Sequence, residues 1–458
     1  MNSFGFVFEK YIRDPIHGLI GLLPHERAIV DLPIYQRLRR VSQLGFGKYV
    51  YPSANHTRFE HSIGVMQTIT DYYESLIKSD ITDNDVRDFL LEEVKASNDS
   101  TGYLLKLRMA ALFHDIGHPP FSHGLEAVLN HKHEEYSIAL LEKSSIIDVL
   151  RDYGWSKKDF LSIKEILVGE LGKEEYFLKS MINSAIDADR MDYLLRDSHH
   201  CGVKYGVYDY PRLLRGPGVR RFTKDGGEEA LDIVFSSKVS EEVENFLLAR
   251  YRMFTQVYLH KTYIGFLNAL WQVYRWLKEN EDNLGLLLYP DPNDKELERK
   301  LIDRDEIWFF SLLRHVRDEI RLKRKRFTFN TLDKDVLLSF IDSLLNRRRI
   351  KLVYSKIWTS QDENNLKISE GFIKKVCDEY NIPHGAVMFD DHSFIIYQTF
   401  KPEYHVYIYD KKTNKYIRID QVKTSLIYNI AEKEFRYTRI YTLDKYYQKI
   451  KTCLANLL

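Results

Sequence analysis

Cysteine is scarce in this chain of 458 residues, which has only Cys201, Cys377 and Cys453. An odd number of thiols so far apart gives neither a disulfide framework nor a cysteine-based zinc site. Long apolar runs are missing too. No stretch approaches the ~18 uninterrupted apolar residues of a membrane-spanning helix. The opening run Phe4-Gly5-Phe6-Val7-Phe8 meets Glu9 and Lys10 at once, which is too short for the apolar segment of a secretory leader. The expectation is a soluble, cytoplasmic protein with no membrane partner. Net charge is nearly absent: 67 basic against 66 acidic side chains leave +1. That balance argues against a bulk polyanion binder and leaves room for a local phosphate pocket. Internal repeats and low-complexity tracts are lacking as well.

What is present is an ordinary globular balance, 44% hydrophobic and 29% charged, able to bury a sizeable core. The 31 tyrosines and 25 phenylalanines favour aromatic packing and subunit interfaces. Residues 11–24 carry Pro15, Gly18 and Gly21 among alternating apolar positions, which predicts a short hairpin. From about 25 to 200 the apolar spacing is mostly helical. Phe222 to Gly227 followed by Ala230 to Phe235 reads as a hairpin inserted between helices, and one long helical stretch is expected from about 238 to 281. Tyr289 to Asp294 reads as a surface loop.

The last hundred residues change character. Phe394–Tyr397, Tyr404–Tyr409 and Tyr416–Ile419 have strand composition, with Lys411 to Asn414 as a turn. The expected fold is mainly α: a helical domain over 1–330 and a smaller α+β C-terminal lobe over 331–458. Two basic clusters, Arg321 with Lys323 to Arg326 and then Arg347 to Arg349, admit either phosphate binding or solvated helix faces. Neighbouring acids favour the second reading, so nucleic acid is not indicated as a partner.

The 16 histidines are not scattered. His56 and His61 flank Arg58, and His114, His118, His123, His131 and His133 fall within one short stretch. A lone helical histidine is more often structural than a ligand, but a cluster with Asp115 among its members points to a metal or phosphate site. A neutral imidazole and a carboxylate, adjacent at the end of the apolar run Met109 to Phe113, can both reach one divalent ion. Gly117, Pro119 and Pro120 stop the helix there, which places the pair near a helix end. His118 follows His114 by four positions and suits proton donation to a phosphate-ester leaving group. At ~100° per residue, Asp189, Arg190, Tyr193 and Asp197 share one arc of a helix whose other side carries Met191, Leu194 and Leu195. A carboxylate, a guanidinium, a phenol and a second carboxylate on one face suit a nucleotide; Arg190 and Asp197 also admit a reading as plain surface charges.

His61, the His114-Asp115 doublet and Asp189 resemble the H…HD…D signature of the HD phosphohydrolase superfamily. More narrowly, the chain resembles the deoxynucleoside triphosphate triphosphohydrolases, which include the bacterial dGTPases. The strings that carry this are Asp14-Pro15-Ile16-His17-Gly18, Gln36-Arg37-Leu38-Arg39, Gln43-Leu44-Gly45 and Arg58-Phe59-Glu60-His61-Ser62. They continue with His114 to His118, Pro120 to His123, His133-Glu134 and Asp189 through Asp197, with a weaker match over Ile408 to Val422. The signature begins around residue 10, so no sterile-α-motif domain is expected ahead of it.

The resemblance implies that His61, His114, Asp115 and Asp189 hold a divalent transition metal, iron or manganese, with magnesium at the phosphates. It implies that Arg58 clamps the triphosphate with help from His123 and Arg190. His118, supported by Glu126 and His133, handles the proton at the 5′ oxygen. Gln43 and Asp197 meet the sugar 3′-hydroxyl, Leu44 packs on base or sugar, Tyr193 closes the sugar pocket and His260 joins it. The implied reaction is one-step hydrolysis of a dNTP at the α-phosphorus to deoxynucleoside and tripolyphosphate. Around Met253 to His260 the resemblance falters: the family's triphosphate arginine is expected near Gln256, and none stands there.

Lys10, Tyr11, Asp31, Gln36 and Arg39 match an effector site for GTP or dGTP between subunits, which implies a homo-oligomer, tetramer or dimer. A carboxylate at Asp31 suits guanine and repels adenine's acceptor edge. Asp31 has a second reading as the cap of a helix beginning near Pro33. Two alternatives to the whole reading stay open: another HD nucleotide phosphohydrolase, a phosphomonoesterase or phosphodiesterase, and a nucleotide sensor with little turnover.

Overall fold

The computed structural model describes residues 4–96, 102–224, 227, 229–285, 288–323, 327–330, 332–359, 368–383, 385–395, 404–431 and 434–457. The expected N-terminal hairpin forms as antiparallel β1 (Lys10–Asp14) and β2 (Gly18–Leu22), turning at Gly18 with φ +78°. Among the described residues no helix is long and apolar enough to cross a membrane.

Three helices frame the interior. The His61 helix (Arg58–Lys78) is buried along most of its length, from Phe59 and Ile63 through Met66 and Tyr73 to Leu76. The His114 helix (Tyr103–Phe113) is buried on all sides from Leu104 onward, as an all-round apolar helix must be. Its one buried guanidinium, Arg108, donates to both oxygens of Glu26 at 2.6 and 2.7 Å and to the Gly21 carbonyl at 3.0 Å. The Asp189 helix (Ala188–Cys201) starts on an Asp187 cap, whose side chain accepts from the Arg190 amide at 2.7 Å, and stops at Gly202 with φ +69°.

The single helix expected over 238–281 is broken. A helix over Ser240–Met253 passes through a wider π turn at Phe254–Tyr258 and restarts at Lys261–Glu279. The reason is competition for the backbone. The Tyr51 hydroxyl takes the Gln256 carbonyl at 2.9 Å, and the His260 ring caps the new helix by accepting from the Thr262 amide at 3.2 Å.

The predicted inserted hairpin is β3 (Pro217–Thr223) and β4 (Glu229–Ser236). In the C-terminal part β5 (Ile350–Thr359), β6 (Val387–Ile395) and β9 (Glu434–Leu443) make an antiparallel sheet in the order β5-β9-β6. The hairpin β7 (Tyr407–Asp410) and β8 (Lys415–Arg418), with the expected turn at 411–414, instead runs alongside β4 in parallel. Ile396 and Tyr397 of the first expected strand, and Arg324 to Arg326 of the first basic cluster, lie outside the described residues.

Three hydrophobic clusters result among the described residues. One centres on the three framing helices, a second joins Phe46, Phe121 and the Lys261–Glu279 helix to the β5-β9-β6 sheet, and a small third gathers Ile81, Phe222, Val234, Tyr407 and Tyr409. The expected boundary near residue 330 falls within this second cluster, which takes side chains from both sides of it.

Candidate active site

The His114 helix ends one residue before its histidine, and the doublet sits in the turn that follows. That turn brings His118 back toward Asp115: the His118 amide donates to the Asp115 carbonyl at 3.1 Å, and His118 Nε2 lies 3.2 Å from Asp115 Oδ1. Arg37, fully buried, fixes the turn from outside by donating to the His118 carbonyl at 2.7 Å. Gly117 is required there, because a methyl on it would come within 2.3 Å of the His133 carbonyl.

Four side chains converge. His61 Nε2 lies 2.9 Å from Asp189 Oδ1 and 3.5 Å from Asp115 Oδ2; His114 Nε2 lies 3.3 Å from Asp115 Oδ2 and 3.8 Å from Asp189 Oδ1. Both rings are held by their other nitrogen. His61 Nδ1 donates to Asp192 Oδ2 at 2.8 Å, and His114 Nδ1 donates to the Ala111 carbonyl at 2.7 Å. Each Nε2 can then offer a lone pair: it is buried with only these carboxylates to face, and against the effect of burial Asp189 and Asp192 raise the His61 imidazole, and Asp115 and Asp189 the His114 imidazole, above the ordinary value. Two fixed imidazole donors facing two carboxylates fit a divalent ion well, and their supporting bonds are the usual means of setting tautomer and aim.

The electrostatics agree with a site made for a cation. Burial alone would raise Asp115, but Arg58 and then His114 outweigh it and hold the carboxyl well below its usual range. Asp189 is likewise held down by His114 and His61 against the effect of burial.

Around this cluster the other expected residues take their places. Arg58 donates to Asp115 Oδ2 at 2.5 Å and to Ser122 Oγ at 2.9 Å. Ser122 and Phe121 both have positive φ, +53° and +62°, a strained pair of the kind found where function overrides local preference. His118 stacks on His133 with ring centroids 3.8 Å apart. Glu126 ties the group together, accepting from His133 Nδ1 at 2.7 Å and from His123 Nδ1 at 2.6 Å. Burial, then Arg58 and His133, push the His118 imidazole well below its ordinary value.

Tyr193 stands 6.5 Å from the His61 ring, centroid to centroid. Gln43 is buried with its Oε1 unpartnered. Leu44 is half-buried against the first cluster. Arg190 is bound by Asp187 and lies 5.4 Å over the Tyr404 ring.

One expectation needs correction. The polar side of the Asp189 helix is not a surface, because Asp192, Arg196 and Asp197 are all buried. Asp197 is no surface charge: it accepts from His56 Nε2 and from the Tyr258 hydroxyl, both at 2.7 Å. His260 accepts from the Thr262 amide at 3.2 Å and lies 6.1 Å from the Tyr51 ring, centroid to centroid.

Sequence reasoning missed several residues. Asp192 orients His61, and only its i+3 spacing from Asp189 hinted at it. Glu306, far along the chain, accepts from the Ser42 amide at 3.0 Å and the Phe121 amide at 3.3 Å, and so fixes the loops that carry Gln43 and Ser122. Arg250, on the helix before the π turn, is half-buried beside Arg190 and Tyr193, and desolvation and then Arg190 lower its pKa from the ordinary guanidinium value.

A second feature lies on the opposite face of the His61 helix. A cavity of about 510 Å³ is lined by Lys10, Tyr11, Asp31, Gln36 and Arg39 together, and its floor includes Phe59 and Glu60. Arg39 lies flat on Phe59, 3.5 Å from the ring centroid, and donates to Gln36 Oε1 at 2.9 Å. Asp31 does not cap the helix at Pro33–Gln36, which is preceded by Leu32 and has no side-chain cap bond; it ends the helix at Pro24–Val30, where its amide donates to the Arg27 carbonyl at 3.0 Å and its side chain takes no part in the cap.

Comparison with known proteins agrees with this geometry. Residues 58–197 match the HD domain family. An uncharacterised protein of Methanocaldococcus jannaschii is 37% identical over 255 residues, which cover 55% of this chain and 46% of that one. The human deoxynucleoside triphosphate triphosphohydrolase SAMHD1 is 34% identical over 240 residues, 45% of this chain and 35% of the relative. The chain spans about half the length of the curated relatives it matches. A solved phosphohydrolase from Bacteroides thetaiotaomicron superposes with a TM-score of 0.68 at 25% identity, covering 94% of this chain and 99% of the other. The match to the HD domain family thus covers the stretch that carries His61, His114, Asp115 and Asp189, and over 45% of its length the chain is similar to deoxynucleoside triphosphate triphosphohydrolases.

Proposed function

We propose that this chain is a metal-dependent phosphohydrolase that cleaves deoxynucleoside triphosphates to deoxynucleoside and tripolyphosphate. The observation that carries the reading is the pair of buried, unpartnered Nε2 atoms of His61 and His114 facing Asp115 and Asp189. These four would hold a divalent transition ion, iron or manganese by family resemblance. When bound, the ion would supply Lewis-acid activation of water.

The remaining groups act on the substrate. Arg58, at the edge of the cluster, and the adjacent Arg190 and Arg250 would clamp the three phosphates; Mg²⁺ would accompany them. Guanidinium forks suit phosphate oxygens, and two crowded guanidiniums are relieved by an anion between them. His118 would deliver the proton to the 5′ oxygen, with the His133–Glu126 pair behind it and His123 at the open side. Asp197 would accept from the 3′-hydroxyl and the Gln43 amide would donate to its oxygen, while Leu44 and Tyr193 would leave no room for a 2′-hydroxyl.

On the far side of the His61 helix, the cavity would take a guanine nucleotide as effector between subunits of an oligomer. Asp31 would read the base, with Lys10 and Arg39 near the phosphates. Metal-reconstituted protein offered each dNTP and NTP, with and without GTP, tests all of this. Tripolyphosphate from dNTPs supports it; release of orthophosphate from nucleotides would instead favour a phosphomonoesterase.

A further inference from the structure

The metal cluster and the cavity are joined by buried charge. Asp192 has every lone pair engaged. Its Oδ2 accepts from His61 Nδ1 and from Arg196 Nε, both at 2.8 Å; its Oδ1 accepts from Arg196 Nη2 at 2.8 Å and from His17 Nε2 at 2.7 Å. The bidentate Arg196 has one arm left, and Nη1 donates to Asp14 Oδ2 at 2.7 Å. Asp14 closes the set: its Oδ1 accepts from the Ile16 and His17 amides at 2.8 and 2.9 Å. Arg196 and Asp192 are fully buried, but Asp14 ends β1 and lines the cavity. The pair seats directly on the His61 helix, where a methyl at Gly64 would come within 2.1 Å of Asp192 Oδ1 and 2.2 Å of Arg196 Nη2.

A buried network this fully satisfied is stiff, because loosening one member strands a charge in low dielectric. It also has a direction. Asp192 alone decides which His61 nitrogen carries the proton and where the ring points, Arg196 decides where Asp192 sits, and Asp14 decides where Arg196 sits. The remote end belongs to a two-stranded hairpin whose β1 also carries Lys10 and Tyr11 of the cavity.

We propose that Asp14, Arg196 and Asp192 are positioning residues that tie the cavity wall to the metal ligand His61. Anything that pins β1 from the cavity then strengthens metal retention, and by linkage a bound metal strengthens binding in the cavity by the same factor. The coupling half of this proposal rests on the effector reading given above; the positioning half does not.

The test uses the full chain loaded with Mn²⁺ and reads the rate at which the metal is lost to excess EDTA, with and without GTP. Asp14→Asn keeps the shape and removes the charge. It is expected to lose Mn²⁺ about 10-fold faster than the parent, within the range for outer-shell partners of metal ligands. Gly64→Ala, which presses on both Arg196 and Asp192, should reach the same result without removing a charge. Arg108→Lys perturbs a different buried ion pair of the same core, and should release metal at the parent rate. GTP should slow release from the parent by about 5-fold or more and leave Asp14→Asn unmoved. Release from Asp14→Asn at the parent rate, or an equal acceleration in Arg108→Lys, overturns the positioning role. Equilibrium dialysis showing GTP bound to the parent with no change in release overturns the coupling. If dialysis shows no GTP bound at all, the effector reading falls, and the positioning role is decided by the release rates alone.

Discussion

The two faces of the His61 helix are built on opposite principles. On one face, the metal-ligand cluster is buried and each ring nitrogen not facing the centre is tied to its own chain. On the other, the cavity is open: Tyr11 is 59% exposed and the Asp31 carboxylate 53%. The first arrangement is preorganised and costs little reorganisation when charge develops. The second is held more loosely: Arg39 and Gln36 are tied to Phe59 and the Val30 carbonyl, while Tyr11 and Asp31 stand toward solvent. That contrast predicts where substitutions are catastrophic and where they are selective.

The largest effect should come from the buried face. The double variant His114→Ala, Asp115→Ala removes two ligands, and turnover should be lost together with bound metal, as read by elemental analysis. Retained activity in that variant would break the comparison at its root. Next comes His118→Ala, which removes a proton carrier without removing a ligand. A fall in kcat of about 10²–10⁴-fold is expected, with metal content unchanged; metal loss equal to that of His114→Ala would mean that the two histidines have exchanged roles.

Sugar selection is a smaller effect on the same face. If Tyr193 and Leu44 close the 2′ position, dGTP should be preferred over GTP by about 10²-fold or more in kcat/KM. Equal rates would show a wider pocket.

The smallest effect belongs to the open face. Asp31→Ala should abolish stimulation by GTP while changing the unfolding free energy by less than about 0.5 kcal/mol, the usual range for an exposed substitution that breaks no cap. The structure sharpens this expectation, since Leu32 and not Asp31 precedes the Pro33 helix. A parent indifferent to every nucleotide would remove regulation from the account and leave the catalytic face intact.

How much was legible in the sequence follows the same divide. Local patterns were readable: the Gly18 turn of the first hairpin, the helix end beside His114 and the β7-β8 turn are all set by neighbours in the chain. Clustered histidines with Asp115 and the spaced Asp189 marked the cluster because their chemistry is rare in combination. What escaped were long-range ties. Helical periodicity gave no role to Asp192 or Arg196 and left Asp197 open to a reading as a surface charge, since a charged side chain is seldom buried without partners. Their partners, Asp14, His17 and His56, lie more than a hundred residues away, and no local pattern announces such a pairing. Arg250 was missed for a related reason: nothing in its own stretch of sequence announces that the helix over Ser240–Met253 sets it beside Arg190 and Tyr193.

The central claim is that this site cuts at the α-phosphorus of a deoxynucleotide. Phosphorus NMR of dGTP incubated with metal-reconstituted protein tests it most directly, with deoxyguanosine followed in parallel. The account predicts tripolyphosphate and deoxyguanosine in equal amounts, with no dGDP or dGMP along the way. Orthophosphate or pyrophosphate accumulating with dGDP or dGMP would contradict it.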